Sequence, residues 1–506
     1  MSAVRHGVRT YPRGRVGVSG VNRACTSPVV RGRSPVLDQW RARIPAVWCP
    51  RRAAGGLLLA LLLGTVVARA GIADHVVRSH EEGIDLILYP TPIRDVVTVV
   101  GSLPAGDALA PAGQSAVPTL TGMMLDRGAR EGSAAGALLD KYAIASRLEN
   151  VGAAVSFEVG NQTLDIRARC LAKDLPLVIE LLAAQLRYPA FNRAEFERVR
   201  QQFIGAVRSS IDNSSYRARD TLNRALFAAD DPNYPQPIDA LLASARTAGV
   251  EDVQRFHREV YGPRGMILVL VGAVDTVAAR KAVATAFRGW QGGREPLPGS
   301  RAGVTPPARQ VVELASKPSV TVLLGQATGL RYRDPDSLAL RVATSVLGHG
   351  FTGRLMSTVR DREGLTYGVG ASINEDSYSG GAFVVSASFA PQLLDQGIDS
   401  TRRELRKWWA EGITEAELAQ RKQSLVGTFQ VGLSSTGGVA GALLSTAQRG
   451  LDLGWLDRYP ELIRELQLPA VNAVIRRYLD PDRMTLVEVG TLPAAKEGTV
   501  PAAAPR

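Results

Sequence analysis

The chain has 506 residues, of which 45% are hydrophobic, 21% charged and 6% aromatic. This composition is typical of globular domains and excludes a collagen-like, coiled-coil or wholly disordered chain. The formal net charge is +12, but residues 1–70 contain twelve Arg and one acidic residue, Asp38, so the rest of the chain is close to neutral. Because a nucleic-acid-binding protein carries its positive charge on the folded domain, this distribution argues against nucleic acid as a partner.

The N-terminal segment predicts export. Residues 55–67 read GGLLLALLLGTVV without a charge, follow Arg51 and Arg52, and precede an Ala-Arg-Ala sequence that ends at Ala70. A basic flank, a short apolar run and a small-x-small site are typical of a secretory signal peptide, with cleavage expected after Ala70. The run is shorter than the roughly 20 residues of a membrane-spanning helix. In the alternative interpretation, the signal is not cleaved and anchors the protein to a membrane. We therefore expect residues 1–70 to be an extension with a signal peptide, and the protein to be periplasmic or otherwise exported.

Cysteine usage favours a reduced core thiol. Cys25 and Cys49 precede the predicted cleavage site, which leaves Cys170 as the one thiol of the mature chain. A single thiol can form neither an internal disulfide nor a thiolate metal cluster. Residues 163–170 alternate between polar and apolar, which predicts a half-buried strand with Cys170 on its apolar face.

The chain reads as two similar halves. A Gly- and Pro-rich stretch, residues 290–308, predicts the linker between them. Residues 194–207 (AEFERVRQQFIGAV) match residues 416–429 (AELAQRKQSLVGTF) at an offset of 222. Two further segments, PRGMILVLVG from Pro263 and PDRMTLVEVG from Pro481, match at an offset of 218. Two matches in the same order indicate duplication of a unit of about 210 residues.

Helices and strands follow one another in both halves. Asp174 is a predicted N-cap of a helix that ends before Pro189. Many predicted strands are not separated by helices, which favours antiparallel pairing and an α+β class. The predicted domains are residues 71–289 and 309–490, followed by a disordered tail over residues 491–506. The predicted strands are Ile84–Tyr89, Val97–Ser102, Thr163–Cys170, Met266–Val271, Thr321–Leu324, Gly381–Phe389 and Met484–Val489.

Two segments of the second half carry a family resemblance. Residues 347–355 read LGHGFTGRL, and residues 359–367 read VRDREGLTY. They are similar to the Gly-rich turn, the S-R-L sequence and the R-x-x-x-G-L-x-Y sequence of the pitrilysin (insulinase-like) family of zinc peptidases, although Thr352-Gly353 departs from the usual small polar pair. Together with the duplicated halves, the resemblance covers residues 72–490. It implies two homologous α/β halves, each a mostly antiparallel sheet with helices packed on it.

The catalytic motif of that family is missing. The family binds zinc through H-x-x-E-H on a helix, because residues four apart share a helical face and the Glu between them can activate the metal-bound water. The corresponding stretch here, SAVPTLTGMMLDRGA from Ser115, places the two His positions at Thr119 and Met123 and the Glu position at Gly122. The later helix that supplies the third ligand has no acid within Phe203–Ala206. The resemblance therefore implies no catalytic residue and no zinc in this chain.

The histidines of the mature chain offer no obvious substitute. His75 and His80 are expected to be exposed near the new N-terminus, His257 to be packed or paired within a helix, and His349 to sit in a turn between two glycines. One alternative stays open, in which the chain is itself a zinc metallopeptidase with atypical ligands such as His75, His80 and an acid.

The resemblance also assigns a substrate contact. Arg360 and Tyr367 match the Arg and Tyr that contact the bound peptide near the scissile bond in the family. A guanidinium and a phenol can donate hydrogen bonds to a substrate carbonyl and stabilise developing negative charge. In the alternative interpretation, Arg360 is a charge on a helix surface and Tyr367 a strand residue of the core.

An Arg–Tyr pair without H-x-x-E-H resembles the non-catalytic subunit of two-chain family members. The leading hypothesis is an exported, non-catalytic subunit of a heterodimeric pitrilysin-type peptidase, which supplies substrate contacts and closes the peptide chamber. Zinc is then expected in a partner subunit that contains H-x-x-E-H, and the substrate is a peptide or an unfolded protein. The remaining alternative is a peptide-binding or scaffold protein without catalysis, since fold alone does not determine function.

Overall fold

The computed structural model describes residues 71–299 and 307–493. These residues belong to one compact unit that spans Ala68–Arg506. The predicted signal peptide, its cleavage site at Ala70 and most of the predicted tail lie outside the described residues. Among the helices described, none is both long and apolar enough to cross a membrane.

The first half contains eight strands and nine α-helices within the described residues. Its strands are β1 (Val77–Glu81), β2 (Ile84–Pro90), β3 (Val96–Leu103), β4 (Gly128–Arg130), β5 (Leu138–Asp140), β6 (Ala154–Val159), β7 (Leu164–Leu171) and β8 (Ile267–Gly272). Its helices are α1 (Ile72–His75), α2 (Val117–Met124), α3 (Lys141–Glu149), α4 (Leu175–Arg187), α5 (Arg193–Ile211), α6 (Ser214–Leu226), α7 (Ile238–Thr247), α8 (Val250–Val260) and α9 (Thr276–Ala286).

The second half follows the same plan. Its strands are β9 (Arg309–Glu313), β10 (Val320–Ala327), β11 (Thr366–Asn374), β12 (Ala382–Phe389) and β13 (Thr485–Gly490). Its helices are α10 (Ser337–Gly348), α11 (Leu394–Glu411), α12 (Glu415–Gly432), α13 (Thr436–Gln448), α14 (Trp455–Glu465) and α15 (Leu468–Tyr478), with a π-helical segment at Met356–Arg362.

Each half is built on one mixed sheet. The first sheet has the order β1-β2-β8-β3-β7-β6, and the second has the order β11-β12-β10-β13-β9. Only β2–β8 and β13–β9 pair in parallel in these two sheets, and every other pair is antiparallel. The short strands β4 and β5 form a separate hairpin. The predicted α+β class, with two homologous halves and mostly antiparallel sheets, is confirmed.

The two halves exchange one helix each. Helix α6 of the first half packs Ala218 and Leu222 into a buried cluster with strands of the second sheet. Helix α13 of the second half packs Ala440 and Leu443 against Val269 and its neighbours in the first sheet. Ala218 and Ala440 differ by 222 positions, the offset of the sequence repeat. Each sheet therefore buries one of its apolar faces under a helix that comes from the other half.

Local predictions in the first half agree with the structure, with one exception. Cys170 lies on β7 and is 3% exposed, and burial raises the pKa of its thiol to about 11, which keeps it protonated. Helix α4 begins after Asp174 and ends before Pro189 as predicted. However, the Asp174 carboxylate makes no capping hydrogen bond, and its Oδ2 atom has no partner among the residues described.

Candidate functional site

Helix α2 carries the residues that stand at the metal-binding positions of the resembling family. The Thr119 hydroxyl donates a hydrogen bond to Oδ1 of Asp107 at 2.8 Å. Burial raises the pKa of Asp107 to about 6, although the hydrogen bond from Thr119 acts in the opposite direction. The polar group at this position is thus engaged in a local contact between the helix and the preceding 3-10 turn.

The space for a catalytic glutamate is filled. A Cβ atom added to Gly122 would lie 2.3 Å from Cγ2 of Val159 and 3.2 Å from Cδ1 of Leu164. Carbon atoms that are not bonded pack at about 3.5–4.0 Å. The side chain of Val159 on β6 therefore occupies the space that a residue larger than glycine would need at position 122. The neighbouring Met123 packs against the core of the first half. The loss of the metal-binding side chains is therefore accompanied by apolar packing of the helix.

Half of the segment that should supply a third ligand is also part of the core, whereas Gly205 and Ala206 are exposed. Phe203 and Ile204 lie on α5 and are 8% and 6% exposed. Within the described parts of the chain, no group of three or more His, Cys, Asp and Glu residues has the arrangement to hold a metal ion.

The histidines occupy four separate environments. His75 ends α1, His80 lies on β1, and His349 follows α10, and all three are exposed. His257 is buried on α8, where its Nε2 atom lies 2.8 Å from the carbonyl oxygen of Leu186 and therefore carries the proton that is donated. Burial lowers the pKa of His257 to about 4. The prediction that His257 is packed or paired is confirmed, and its partner carbonyl lies on the neighbouring helix α4.

Arg360 and Tyr367 lie together at the surface of the second half. Arg360 lies in the π-helical segment, with its guanidinium carbon 5.4 Å from the Tyr367 ring centroid and 5.2 Å from that of Phe351. Tyr367 is 90% exposed and Phe351 is 72% exposed. The interpretation of Tyr367 as a core residue is therefore wrong. Phe351 is not among the predicted site residues, although an aromatic residue within a Gly-rich turn is a signal that points to it.

A local irregularity in β11 directs Tyr367 outward. The pairing of β11 with β12 shifts register between Thr366 and Val369. The Gly368 amide donates to the Thr366 hydroxyl at 3.1 Å, and that hydroxyl contacts the Ser388 carbonyl oxygen. Because this side chain satisfies backbone groups that the ladder leaves unpaired, the strand can bulge and Tyr367 can point away from the core.

The residues before Arg360 hold the Gly-rich turn in place. Arg354 donates two hydrogen bonds of 2.7 Å to Glu417 and one of 3.0 Å to the Gly412 carbonyl oxygen. Although burial acts in the opposite direction, the hydrogen bonds from Arg354 and Thr414 lower the pKa of Glu417 to about 2. A Cβ atom on Gly348 would lie 2.1 Å from the Ala371 amide nitrogen, so only glycine lets the turn pack on β11. The Arg-Leu part of the sequence likeness is thus a structural anchor.

A cavity of about 560 Å³ follows Tyr367 along β11. It lies between strands of the second sheet and the start of α6 from the first half. Small and polar residues line it, so that backbone atoms form much of its wall. They are Asp212, Asn213, Ser214, Ser215, Ser319, Thr321, Gly368, Val369, Gly370, Ser386, Ala387 and Ser388.

The structure thus forms two groups of predicted site residues. Thr119, Gly122 and Met123 share one helix and are engaged by Asp107, Val159 and the core. Arg360 and Tyr367 share an exposed cluster with Phe351, beside a cavity that both halves line. A two-half fold in which the glutamate position is filled, apolar or hydroxyl side chains stand at the metal positions and an Arg–Tyr pair lies at the surface defines the class as a peptidase-like protein without the usual zinc site.

Comparisons with known proteins support the resemblance to this family. Residues 247–425 match the model of the peptidase M16 inactive domain. An uncharacterized zinc protease of Streptomyces coelicolor is 26% identical over 58% of this chain and 64% of its own length. The non-peptidase homolog YmxG of Helicobacter pylori is 22% identical over 85% of this chain and 98% of its own length. Residues 247–425 thus match the inactive domain of the M16, or pitrilysin-type, peptidases, and the predicted resemblance to that family is confirmed.

A solved structure agrees with this fold. The peptidase M16 inactive domain from Pseudomonas fluorescens superposes with a TM-score of 0.75 at 22% identity, over 83% of this chain and 99% of its own. At this level of identity the likeness supports the fold. The chain spans less than two thirds of the Streptomyces relative, so activity, substrate and partner are matters of proposal.

Proposed function

We propose that the mature chain is the exported, non-catalytic subunit of a heterodimeric pitrilysin-type zinc peptidase. In this role it contacts the peptide substrate through Arg360 and Tyr367 and closes the peptide chamber of a zinc-containing partner. The observation that carries the proposal is the contrast between the two groups of residues. The space for the catalytic glutamate at Gly122 is filled by Val159, whereas Tyr367 is exposed and the half-buried Arg360 is held beside it by cation–π contacts.

The guanidinium of Arg360 is available to a ligand. Its nearest acidic neighbour is Asp361, at 4.0 Å from Nε, and no hydrogen bond of this guanidinium occurs among the described residues. The rings of Phe351 and Tyr367 fix its position through cation–π contacts, which contribute about 0.5–1 kcal/mol each at exposed sites. A positioned guanidinium with free donors suits the carbonyl oxygen of a peptide.

The strand next to the pair can accept an extended peptide. Strand β11 is the outermost strand of its sheet and pairs only with β12. Its other edge therefore presents amide and carbonyl groups with which a peptide can form further pairing. Gly368 and Gly370 line the cavity without side chains, so a peptide backbone can approach closely there.

The partner follows from what this chain lacks. Hydrolysis by this class of peptidase uses a zinc-bound water and a glutamate base, and the described residues offer neither a metal-binding group nor space for that glutamate. The partner is a chain that contains H-x-x-E-H. The Arg-flanked apolar run at residues 55–67 supports export of the mature chain to the periplasm or beyond.

The test begins with the purified full-length mature protein. We expect it to bind no stoichiometric zinc by elemental analysis and to cleave no peptide. Co-purification with an H-x-x-E-H chain of similar size should give zinc and cleavage of unfolded peptides. Stoichiometric zinc with intrinsic activity in the isolated chain would instead support the alternative of a zinc peptidase with its own ligands.

Variants of the pair then test the substrate contact. Arg360→Ala should lower kcat/KM of the complex about tenfold to a hundredfold, because it removes a positioned donor to the substrate. Tyr367→Phe removes only the hydroxyl and should have a smaller effect. Arg406→Ala is a matched control, because Arg406 is 57% exposed and pairs with Asp482 on the surface of the same half. Equal activity of all three complexes would refute the assigned contact.

A pull-down separates this proposal from the scaffold alternative. Recovery of an M16 peptidase with the tagged chain supports the heterodimer. Peptide affinity without any recovered peptidase would favour a binding protein without catalysis.

A further inference from the structure

A second cavity, of about 550 Å³, lies where the two halves meet. We call it the seam cavity and define it by His80, Arg264, Glu295, Arg331, Arg333 and Arg449, which line it together with neighbouring backbone. It is separate from the Arg360–Tyr367 cluster, and none of its lining residues is used by the proposed function. Four arginines in one cavity place a concentrated positive charge there, which needs nearby carboxylates to balance it.

Two of the four arginines have carboxylate partners. Arg264 lies 3.9 Å from Glu295, and Arg331 lies 3.7 Å from Asp334. The remaining carboxylate in the wall, Asp85, receives two hydrogen bonds of 2.7 and 2.8 Å from Arg78, outside the cavity. The acidic residues around the seam cavity are thus already engaged.

Arg333 and Arg449 have no such partner within the described parts of the chain. Arg333 is exposed and makes no ion pair there. Arg449 is partly buried, and its Nε atom has no hydrogen-bond acceptor. Arg333 and Arg449 therefore leave unmatched positive charge at the cavity wall. For Arg449 this is costly, because an unpaired charge is withdrawn from water.

The surroundings of Arg449 explain why its charge stays unmatched. Its guanidinium carbon lies 3.6 Å from the ring centroid of Tyr332, and that of Arg341 lies 4.5 Å from the same centroid. The nearby carboxylate of Asp376 is bound to Arg341. The carboxylate nearest to Arg449 is therefore already bound by another guanidinium, and burial lowers the pKa of Arg449.

The position of Arg449 is fixed by contacts between the halves. The residue before it, Gln448, lies close enough to Tyr378 to affect the pKa of that phenol, and so do Ser102 and Thr163 of the first half. Tyr378 itself lines the seam cavity. Tyr378 therefore lies between the end of α13 and the first half, and the Tyr332 ring positions the guanidinium of Arg449.

We propose that the seam cavity binds a small oxyanion, a phosphate or carboxylate group of a soluble ligand, between Arg333 and Arg449. Planar guanidinium groups donate paired hydrogen bonds that match both kinds of oxyanion. Such a ligand balances the positive charge that the cavity wall leaves unmatched. This inference is independent of the proposed peptidase partner.

Calorimetric titration of the full-length mature protein tests the site. The probes are pyrophosphate and tricarballylate at equal ionic strength, which present phosphate and carboxylate oxygens respectively. We expect one-to-one binding of at least one of them. Binding of pyrophosphate alone assigns phosphate chemistry, and binding of tricarballylate alone assigns carboxylate chemistry, and both outcomes support the site.

Variants locate the binding. Arg333→Gln and Arg449→Gln should each weaken binding about tenfold, as expected for one charge-assisted contact. Arg208→Gln on α5 is the control, because Arg208 is an exposed arginine without an ion pair among the described residues and lies outside the cavity. Since Arg333 is exposed, its variant tests the site even where the Arg449 variant is unstable. Absence of binding by both anions, or binding that the Arg333 variant leaves unchanged, would overturn the proposal.

Discussion

Substitution of Asp107 by Asn is expected to stabilise the protein near neutral pH. Asp107 lies in the turn before α2, and Oδ1 accepts the hydrogen bond from Thr119 at 2.8 Å. Burial raises the pKa of its carboxyl from 3.8 to about 6. Asn keeps an oxygen that can accept from Thr119 but carries no charge. The substitution therefore removes the cost of the buried charge and retains the local contact.

The magnitude follows from the difference in pKa between the folded and unfolded states. A difference of about 2 units corresponds to about 3 kcal/mol, as an upper value. Because the pKa is raised on folding, the native state of the wild type binds the proton more tightly. Its relative stability is full below about pH 4 and falls as the pH rises through about 6. The variant should match the wild type near pH 4 and exceed it by up to about 3 kcal/mol at pH 7.

Thermal unfolding between pH 4 and pH 7 measures this difference. With an unfolding entropy of about 2.1 cal/mol/K per residue over about 420 residues, the Tm of the variant should be higher by up to about 3 °C at pH 7. Asp399→Asn is a matched control, since Asp399 is an exposed carboxylate in the middle of α11. A Tm difference for Asp107→Asn that does not change with pH, or a variant less stable at pH 7, would refute the reasoning.

Three further predictions concern packing and charge. Gly122→Glu should destabilise the protein by about 1–3 kcal/mol through overpacking and lower its Tm, and Val159→Ala in the same chain should recover part of the lost Tm. A Gly122→Glu variant as stable as the wild type would contradict the conclusion that Val159 fills this space. Glu417→Gln should cost about 2 kcal/mol at pH 7, because the pKa of Glu417 is lowered to about 2 in the folded state, and this cost should decline as the pH falls from about 4.5 towards 2. Denaturant unfolding at about pH 7 and about pH 3 measures it, and an equal cost at both pH values would contradict the ion pair. Leu222→Ala or Leu443→Ala should each cost about 2–5 kcal/mol, and calorimetry should show both halves unfolding in one transition at a lower temperature. Separate transitions for the two halves would contradict the exchange of helices.

The fold could be predicted largely from local patterns. The strand at residues 163–170 is visible in the sequence because polar and apolar residues alternate, and the structure has it at Leu164–Leu171. The two halves are visible because the repeats keep one order and nearly one offset. The exchange of α6 and α13 could not be predicted, since periodicity shows that a helix has an apolar face but does not show which sheet covers it.

The candidate site could be predicted in part. The loss of ligands at Thr119 and Met123 is a matter of residue type and can be read directly. The space at Gly122 and the contact of Thr119 with Asp107 depend on tertiary packing, which the sequence alone does not contain. The exposure of Tyr367 depends on a bulge that the Thr366 hydroxyl supports. Strand periodicity alone does not distinguish this exposed position from a core position.

The exchanged helices bear on how a duplicated chain of this kind can arise and persist. A single repeat that lent its helix to an identical copy would form a domain-swapped dimer, and joining the two copies in one polypeptide would preserve every contact. Once the two copies are fused, their sequences can diverge, but the exchanged helices keep the two halves together. A protease that cut within residues 290–308 would accordingly leave two fragments that migrate together in native conditions and separate only when denatured.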